Sequence, residues 1–291
     1  MFHGSIPALV TPFKNGAIDR DAFANLIENQ ISGGSAALVP CGTTGESATL
    51  SHAEHREVVE LCIQVAGGRV PVIAGAGSNS TREAIELVEH AKTVGADAAL
   101  AICPYYNKPD QTGLEAHFNA INAAVSLPII LYNVPSRTAC DLLPETVGRL
   151  AKLPNIVGIK DASNDLGRVS MQASLTRGEQ FTQLSGEDPS SLGHRAMGGA
   201  GCISVTANIA PELCAQMHAA FDAGDLETAR QLDQRLIHIH KAMFLSPSPG
   251  PAKYVLAKMG VCSDEVRLPI VAPDATTERQ IDDALTAAGL H

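Results

Sequence analysis

Ile156-Val157-Gly158-Ile159-Lys160 is an apolar run too short for a helix, opened after Asn155 and closed by a lysine. Its β-branched residues predict a strand buried on both faces, as in parallel sheets covered by helices. Outward from it, comparable runs occur at residues 6–10, 36–40, 70–74, 98–102, 129–132, 181–184 and 202–205, giving eight strand candidates.

The segments between them carry helical spacing. Ala84, Leu87, Val88 and Ala91 line one face at i, i+3, i+4 and i+7. Ser51-x-x-Glu54, Ser80-x-x-Glu83 and Thr112-x-x-Glu115 match the capping-box pattern, in which hydroxyl and carboxylate satisfy first-turn amides. Alternating strands and helices imply an α/β fold, and eight repeats predict a closed (β/α)8 TIM barrel. After about residue 223 only helical stretches follow, at 226–244, 251–259 and 276–288. The expected division is therefore a 1–223 barrel catalytic domain and a 224–291 C-terminal helical appendix. An open doubly wound sheet is the alternative, but no GxGxxG follows the first strand.

With 291 residues, 45% hydrophobic and 18% charged, the composition is that of a globular protein able to bury a large core. The net charge of -10 lacks any basic cluster, which argues against nucleic acid as a partner. The opening residues hold no Lys or Arg, and no stretch nears the ~18 apolar residues of a membrane span. The expected location is cytoplasmic, without membrane association. Seven cysteines show no CxxC pair or metal spacing. Cys41, Cys103 and Cys202 end apolar runs and read as small buried hydrophobes.

Active residues of a barrel gather at the carboxyl ends of its strands. There the sequence is polar: Gly42-Thr43-Thr44-Gly45-Glu46-Ser47, Pro104-Tyr105-Tyr106-Asn107, Tyr132-Asn133-Val134-Pro135-Ser136-Arg137, and Lys160. An ammonium closing a buried run is costly unless paired or used. Desolvation favours the neutral amine, which attacks a ketone to form an iminium, an electron sink for carbanion chemistry. The ordinary alternatives are an ion pair with Asp161 or a lysine reaching the rim. Tyr132, Thr43 and Tyr106 offer hydroxyls for the proton transfers that imine formation requires. Gly42-Thr43-Thr44-Gly45 suits a carboxylate better than a nucleotide phosphate, since no GK[ST] follows. Arg137 offers a fork for a second carboxylate, with a surface salt bridge as the common alternative.

Together with Gly158-Ile159-Lys160, Leu184-Ser185-Gly186 and Ile203-Ser204-Val205-Thr206-Ala207-Asn208, these stretches resemble the pyruvate-dependent Schiff-base aldolase family of dihydrodipicolinate synthases and N-acetylneuraminate lyases. The resemblance spans nearly the whole chain. Arg137, two residues after the proline of Tyr-Asn-Val-Pro, resembles the synthases, and implies a lyase joining pyruvate to L-aspartate 4-semialdehyde on the route to diaminopimelate and lysine. No cofactor or catalytic metal is implied. By similarity Lys160 forms the Schiff base, Tyr132 and Thr43 relay protons, and Tyr106 completes the relay from a neighbouring subunit. Thr44 helps bind pyruvate, while Gly186 and Ile203 approach the substrate through backbone groups.

The resemblance further implies a homo-oligomer, either a dimer or a tetramer built as a dimer of dimers. It also implies a lysine effector site of Ser47, Ala48, His52, His55, Asn79, Glu83 and Tyr105. From the residues alone, His52 and His55 equally suit a surface pair or a weak metal pair. Pro40-Cys41, Asp161 after the lysine, and Gly186-Glu187-Asp188-Pro189 depart from the family pattern, and of these Cys41 and Pro189 bear on substrate range. The rival functions are another pyruvate aldolase, and a non-catalytic sensor that binds pyruvate or lysine without turnover.

Overall fold

The computed structural model describes residues 2–290; Met1 and His291, at the ends of the expected domain ranges, lie outside the described residues. The chain divides into two compact units: one holds the residues up to His3 with Val72–Ile203, the other Gly4–Pro71 with the residues from Ser204 onward.

In the first unit, strands Ile73–Gly75, Ala98–Ile102, Ile129–Asn133, Ile156–Asp161 and Thr182–Ser185 pair in chain order, every pairing parallel, and Leu184 and Ser185 continue the ladder onto Gly201 and Cys202. Helices Thr81–Thr93, Gln111–Ala124, Pro144–Leu150, Gly167–Leu175 and Ser191–Ala196 alternate with them. Ile129, Ile130, Leu131 and Ile159 are wholly buried, as strands covered on both faces require. Ala84, Leu87, Val88 and Ala91 are the buried face of their helix, as the spacing predicts.

In the second unit, strand Gly4–Pro7 lies beside residues 36–39: Ala36 N donates to Ser5 O and Val39 N to Pro7 O, at 2.8 and 3.0 Å. Residues 36–40 pair only briefly: Leu38 and Val39 sit in isolated bridges, that of Val39 parallel to Ala8, and the run ends where Pro40 lacks an amide and Cys41 turns left-handed at φ 54°. A small antiparallel pair, Phe13–Lys14 with Ala17–Ile18, closes through Asn15-Gly16, both at positive φ. Asn-Gly is the preferred occupant of such a tight turn.

The C-terminal helices run Leu226–Ala242, Gly250–Lys258 and Ala275–Ala287, within two residues of the expected bounds, and Asp225 and Asp274 cap the first and last. Of the three capping boxes expected, Ser51–Glu54 forms in full. At the second, Ser80 makes no cap bond, and the Glu83 carboxylate instead accepts from the Ser78 hydroxyl. At the third, the stronger cap Asp110 takes the amide of Gly113 at 2.8 Å, which puts Thr112 inside the helix. Parallel strands alternating with helices and followed by C-terminal helices place the chain in the α/β class of a (β/α)8 barrel. No helix among the described residues is long and apolar enough to cross a membrane.

Candidate active site

Lys160 sits near the carboxyl end of strand Ile156–Asp161, buried to 6% exposure. Its register partner on strand Ile129–Asn133 is Tyr132. Side chains at partner positions share one face of a parallel ladder, so the two meet: the ammonium nitrogen lies 4.2 Å from the ring centroid. The neighbour Asp161 points to the opposite face. Its carboxylate accepts from Ser163 N at 2.8 Å and Gln172 Nε2 at 3.0 Å, and no ion pair of Lys160 is found among the described residues. The Lys160–Asp161 ion pair therefore does not form. What the fold presents is a buried lysine nitrogen beside a tyrosine ring.

Gly186 abuts the lysine. A methyl group there would stand 2.7 Å from Ala162 Cβ and 3.1 Å from Lys160 Cε, so the lysine arm runs where only a glycine leaves room. Gly186 N donates to Asp161 O at 2.7 Å, holding the turn against the strand. Ile203 is buried on the Gly201–Ser204 strand.

Arg137 is exposed on the short helix Pro135–Thr138. The loop beyond it is fixed from within. Asn133, wholly buried, accepts from Leu142 N at 3.0 Å and donates to Asp141 at 2.9 Å, and Arg168 grips the same Asp141 at 2.5 Å. Glu187 belongs to the same electrostatic neighbourhood. Burial and then Asp188 push its carboxyl above the usual range, while Lys160 and Arg137 oppose that rise. Asn133 and Glu187 were not among the expected site residues. A buried amide ending an apolar strand is the signal for the first, whereas only the folded arrangement reveals the second.

Tyr106 stands apart, 89% exposed and left-handed at φ 73°. Asn107 ties its loop to Asn79 O at 2.9 Å. Of the expected effector residues in this unit, Asn79 and Glu83 are half-buried and Tyr105 is exposed.

In the second unit, Thr44 is buried and Thr43 half-buried in a tight turn, where Gly45 N donates to Gly42 O and Glu46 N to Thr43 O. Ser47, Ala48 and His52 lie at the surface side of this segment, and His55 is buried, its carbonyl accepting from Cys41 Sγ at 3.5 Å. Among the described residues no group of three His, Cys, Asp or Glu side chains is placed to hold a metal ion.

Cys41, Cys103 and Cys202 are buried free thiols. Burial raises the pKa of Cys41, and a hydrogen bond with Cys140, then burial, raises that of Cys103. That bond holds Cys140 down to about 6.

The chain matches the dihydrodipicolinate synthetase family over residues 1–288. It is 69% identical over 292 residues to a 4-hydroxy-tetrahydrodipicolinate synthase of Hyphomonas neptunium, with all of both chains covered. Among solved structures it resembles the chloride-inhibited dihydrodipicolinate synthase of Acinetobacter baumannii complexed with pyruvate, at TM-score 0.97 and 44% identity over the whole of both chains. It also resembles the lysine-bound enzyme of Cyanidioschyzon merolae, at TM-score 0.96 and 39% identity, covering 100% of this chain and 99% of the other.

Proposed function

The chain belongs to the dihydrodipicolinate synthetase family, and from that membership we propose that it is a lyase condensing pyruvate with L-aspartate 4-semialdehyde to 4-hydroxy-tetrahydrodipicolinate. The observation that carries the chemistry is Lys160, buried at a strand end with its nitrogen over the Tyr132 ring. Lys160 Nζ attacks the pyruvate ketone, and water leaves as the imine forms. Loss of a methyl proton from the imine gives a carbanion equivalent that adds to the aldehyde carbon. The amino group of the second substrate then takes the imine carbon, closing the ring and freeing Lys160.

Tyr132 and Thr43 move the protons between these steps, with Tyr106 reaching in from a neighbouring subunit. The near-complete exposure of Tyr106 favours that intersubunit role, which makes a homo-oligomer, a dimer or a tetramer of two dimers, part of the reading. Thr44 binds the pyruvate carboxylate, and Gly186 and Ile203 meet the substrate through their backbones. Arg137 receives the carboxylate of the semialdehyde, its guanidinium being exposed and free to reorient. The catalytic region is 1–223 and the helical region 224–291, in a cytoplasmic enzyme needing no cofactor.

Lysine is the effector in this reading, held by Ser47, Ala48, His52, His55, Asn79, Glu83 and Tyr105. The lysine-bound Cyanidioschyzon merolae enzyme supports it.

The test is borohydride reduction after adding pyruvate, followed by peptide mass spectrometry. A pyruvyl adduct on Lys160 supports the reading. Folded protein without one excludes Schiff-base chemistry there and favours a binding protein that lacks turnover.

A further inference from the structure

Glu46 follows the Gly42-Thr43-Thr44-Gly45 turn and is 5% exposed. Its backbone is left-handed at φ 55°, a conformation a residue with a side chain adopts only when its surroundings hold it there. The surroundings do so through both carboxylate oxygens. Oε1 accepts from Lys253 Nζ at 2.6 Å, and Oε2 accepts from the Arg267 backbone N at 2.9 Å. Lys253 is wholly buried and donates as well to Glu265 O at 2.8 Å. The Phe13 ring contacts both cations, with Lys253 Nζ at 4.1 Å and the Arg267 guanidinium at 4.2 Å from its centre. On the other side of the turn, Thr11 Oγ1 donates to Gly45 O at 2.7 Å.

A buried ion pair gains little stability over an apolar pair of the same shape, because desolvation offsets the attraction. Burial indeed draws the Lys253 pKa downward, against the opposing pull of Glu46. What such a pair supplies is direction, since a carboxylate held at both oxygens has one orientation. Its backbone amide is the donor to Thr43 O at 3.1 Å, so fixing Glu46 fixes the Thr43–Thr44 turn.

We propose that Glu46, clamped by Lys253 and the Arg267 backbone, is a positioning residue that presents the Thr43 and Thr44 hydroxyls to pyruvate. The helical C-terminal region thereby sets pyruvate affinity without touching the substrate. The inference rests on the roles proposed above for Thr43 and Thr44.

The experiment uses the full chain with Glu46→Gln, and with Glu46→Gln combined with Lys253→Met, which removes both charges. Melting temperature, KM for each substrate, kcat and the pyruvate dependence of borohydride trapping are measured together. The double variant is expected to stay folded, with KM for pyruvate raised about tenfold or more, since small misplacements of binding groups cost that much. KM for the semialdehyde stays near wild type, and kcat at saturating pyruvate falls less than KM rises. Folded variants with wild-type pyruvate KM overturn the proposal. If neither variant folds, Phe13→Leu, which keeps every charge and removes only the ring, decides on the same readouts. Wild-type protein that traps no pyruvate refutes the parent reading; trapping in wild type with unchanged affinity in the variants refutes only the positioning role.

Discussion

Tyr132 and Lys160 are register partners on adjacent parallel strands, and the ammonium of one stands 4.2 Å from the ring centre of the other. The phenol is thus anchored beside the amine by the hydrogen-bond ladder itself. Tyr132→Phe keeps the ring and removes only the hydroxyl. It is expected to lower kcat about 10²–10⁴-fold, the usual scale of a lost proton-transfer group, while borohydride still traps pyruvate on Lys160. Lys160→Ala removes both trapping and turnover. An unchanged kcat in Tyr132→Phe would take the phenol out of the proton relay.

Gly186→Ala introduces a methyl group 3.1 Å from Lys160 Cε. Displacing the lysine arm by a fraction of an ångström is expected to lower kcat about tenfold, less than the ~100-fold of a full ångström. Steady-state kinetics with a circular-dichroism melt separates this from unfolding, and a folded variant at full activity counts against the close fit.

Arg137→Ala is expected to raise KM for L-aspartate 4-semialdehyde about 10–100-fold, the worth of a charge-assisted hydrogen bond to a carboxylate. The rate of pyruvate trapping stays unchanged, because Arg137 acts on the second substrate. Equal losses toward both substrates would assign Arg137 a structural role instead.

Lysine titrated into the coupled assay is expected to inhibit, and Glu83→Ala to shift inhibition to about tenfold higher lysine or beyond. Activity that stays level up to millimolar lysine would remove the effector site and leave the catalytic assignment standing.

Burial holds the imidazoles of His117 and His194 down at about 4. An unfolded chain titrates its histidines near ~6.5, so protons are taken up by the unfolded state first as pH falls. Their contribution is full above that value and is lost as pH drops through about 4. The melting temperature is expected to decline across this window, with a shallower slope in His117→Gln. Parallel slopes in the two proteins would show that His117 is not buried as a neutral ring.

Much of this architecture was legible in the sequence because burial on both faces writes itself as short apolar runs. Residues 98–102 became a strand of the same bounds, and Lys160 was conspicuous as a charge ending such a run. Residues 36–40 pair as expected but only through isolated bridges, since Pro40 and Cys41 turn the backbone at the end of the run. Ser80 misled: its spacing to Glu83 fits a cap, yet Ser78 takes the carboxylate. The Tyr132–Lys160 contact depends on strand register, and the Glu46–Lys253 pair joins residues 207 positions apart. Neither relationship has a local signature.

That separation also has a temporal side. A ribosome adding about 5–20 residues per second needs about 10–40 s to travel from Glu46 to Lys253. Throughout that interval the Glu46 carboxylate lacks its native partner Lys253. Val10 waits in the same way for Asn208, whose side chain accepts from its amide at 3.0 Å. The amino-terminal part of the nascent polypeptide therefore cannot complete these two contacts until most of the chain has been made.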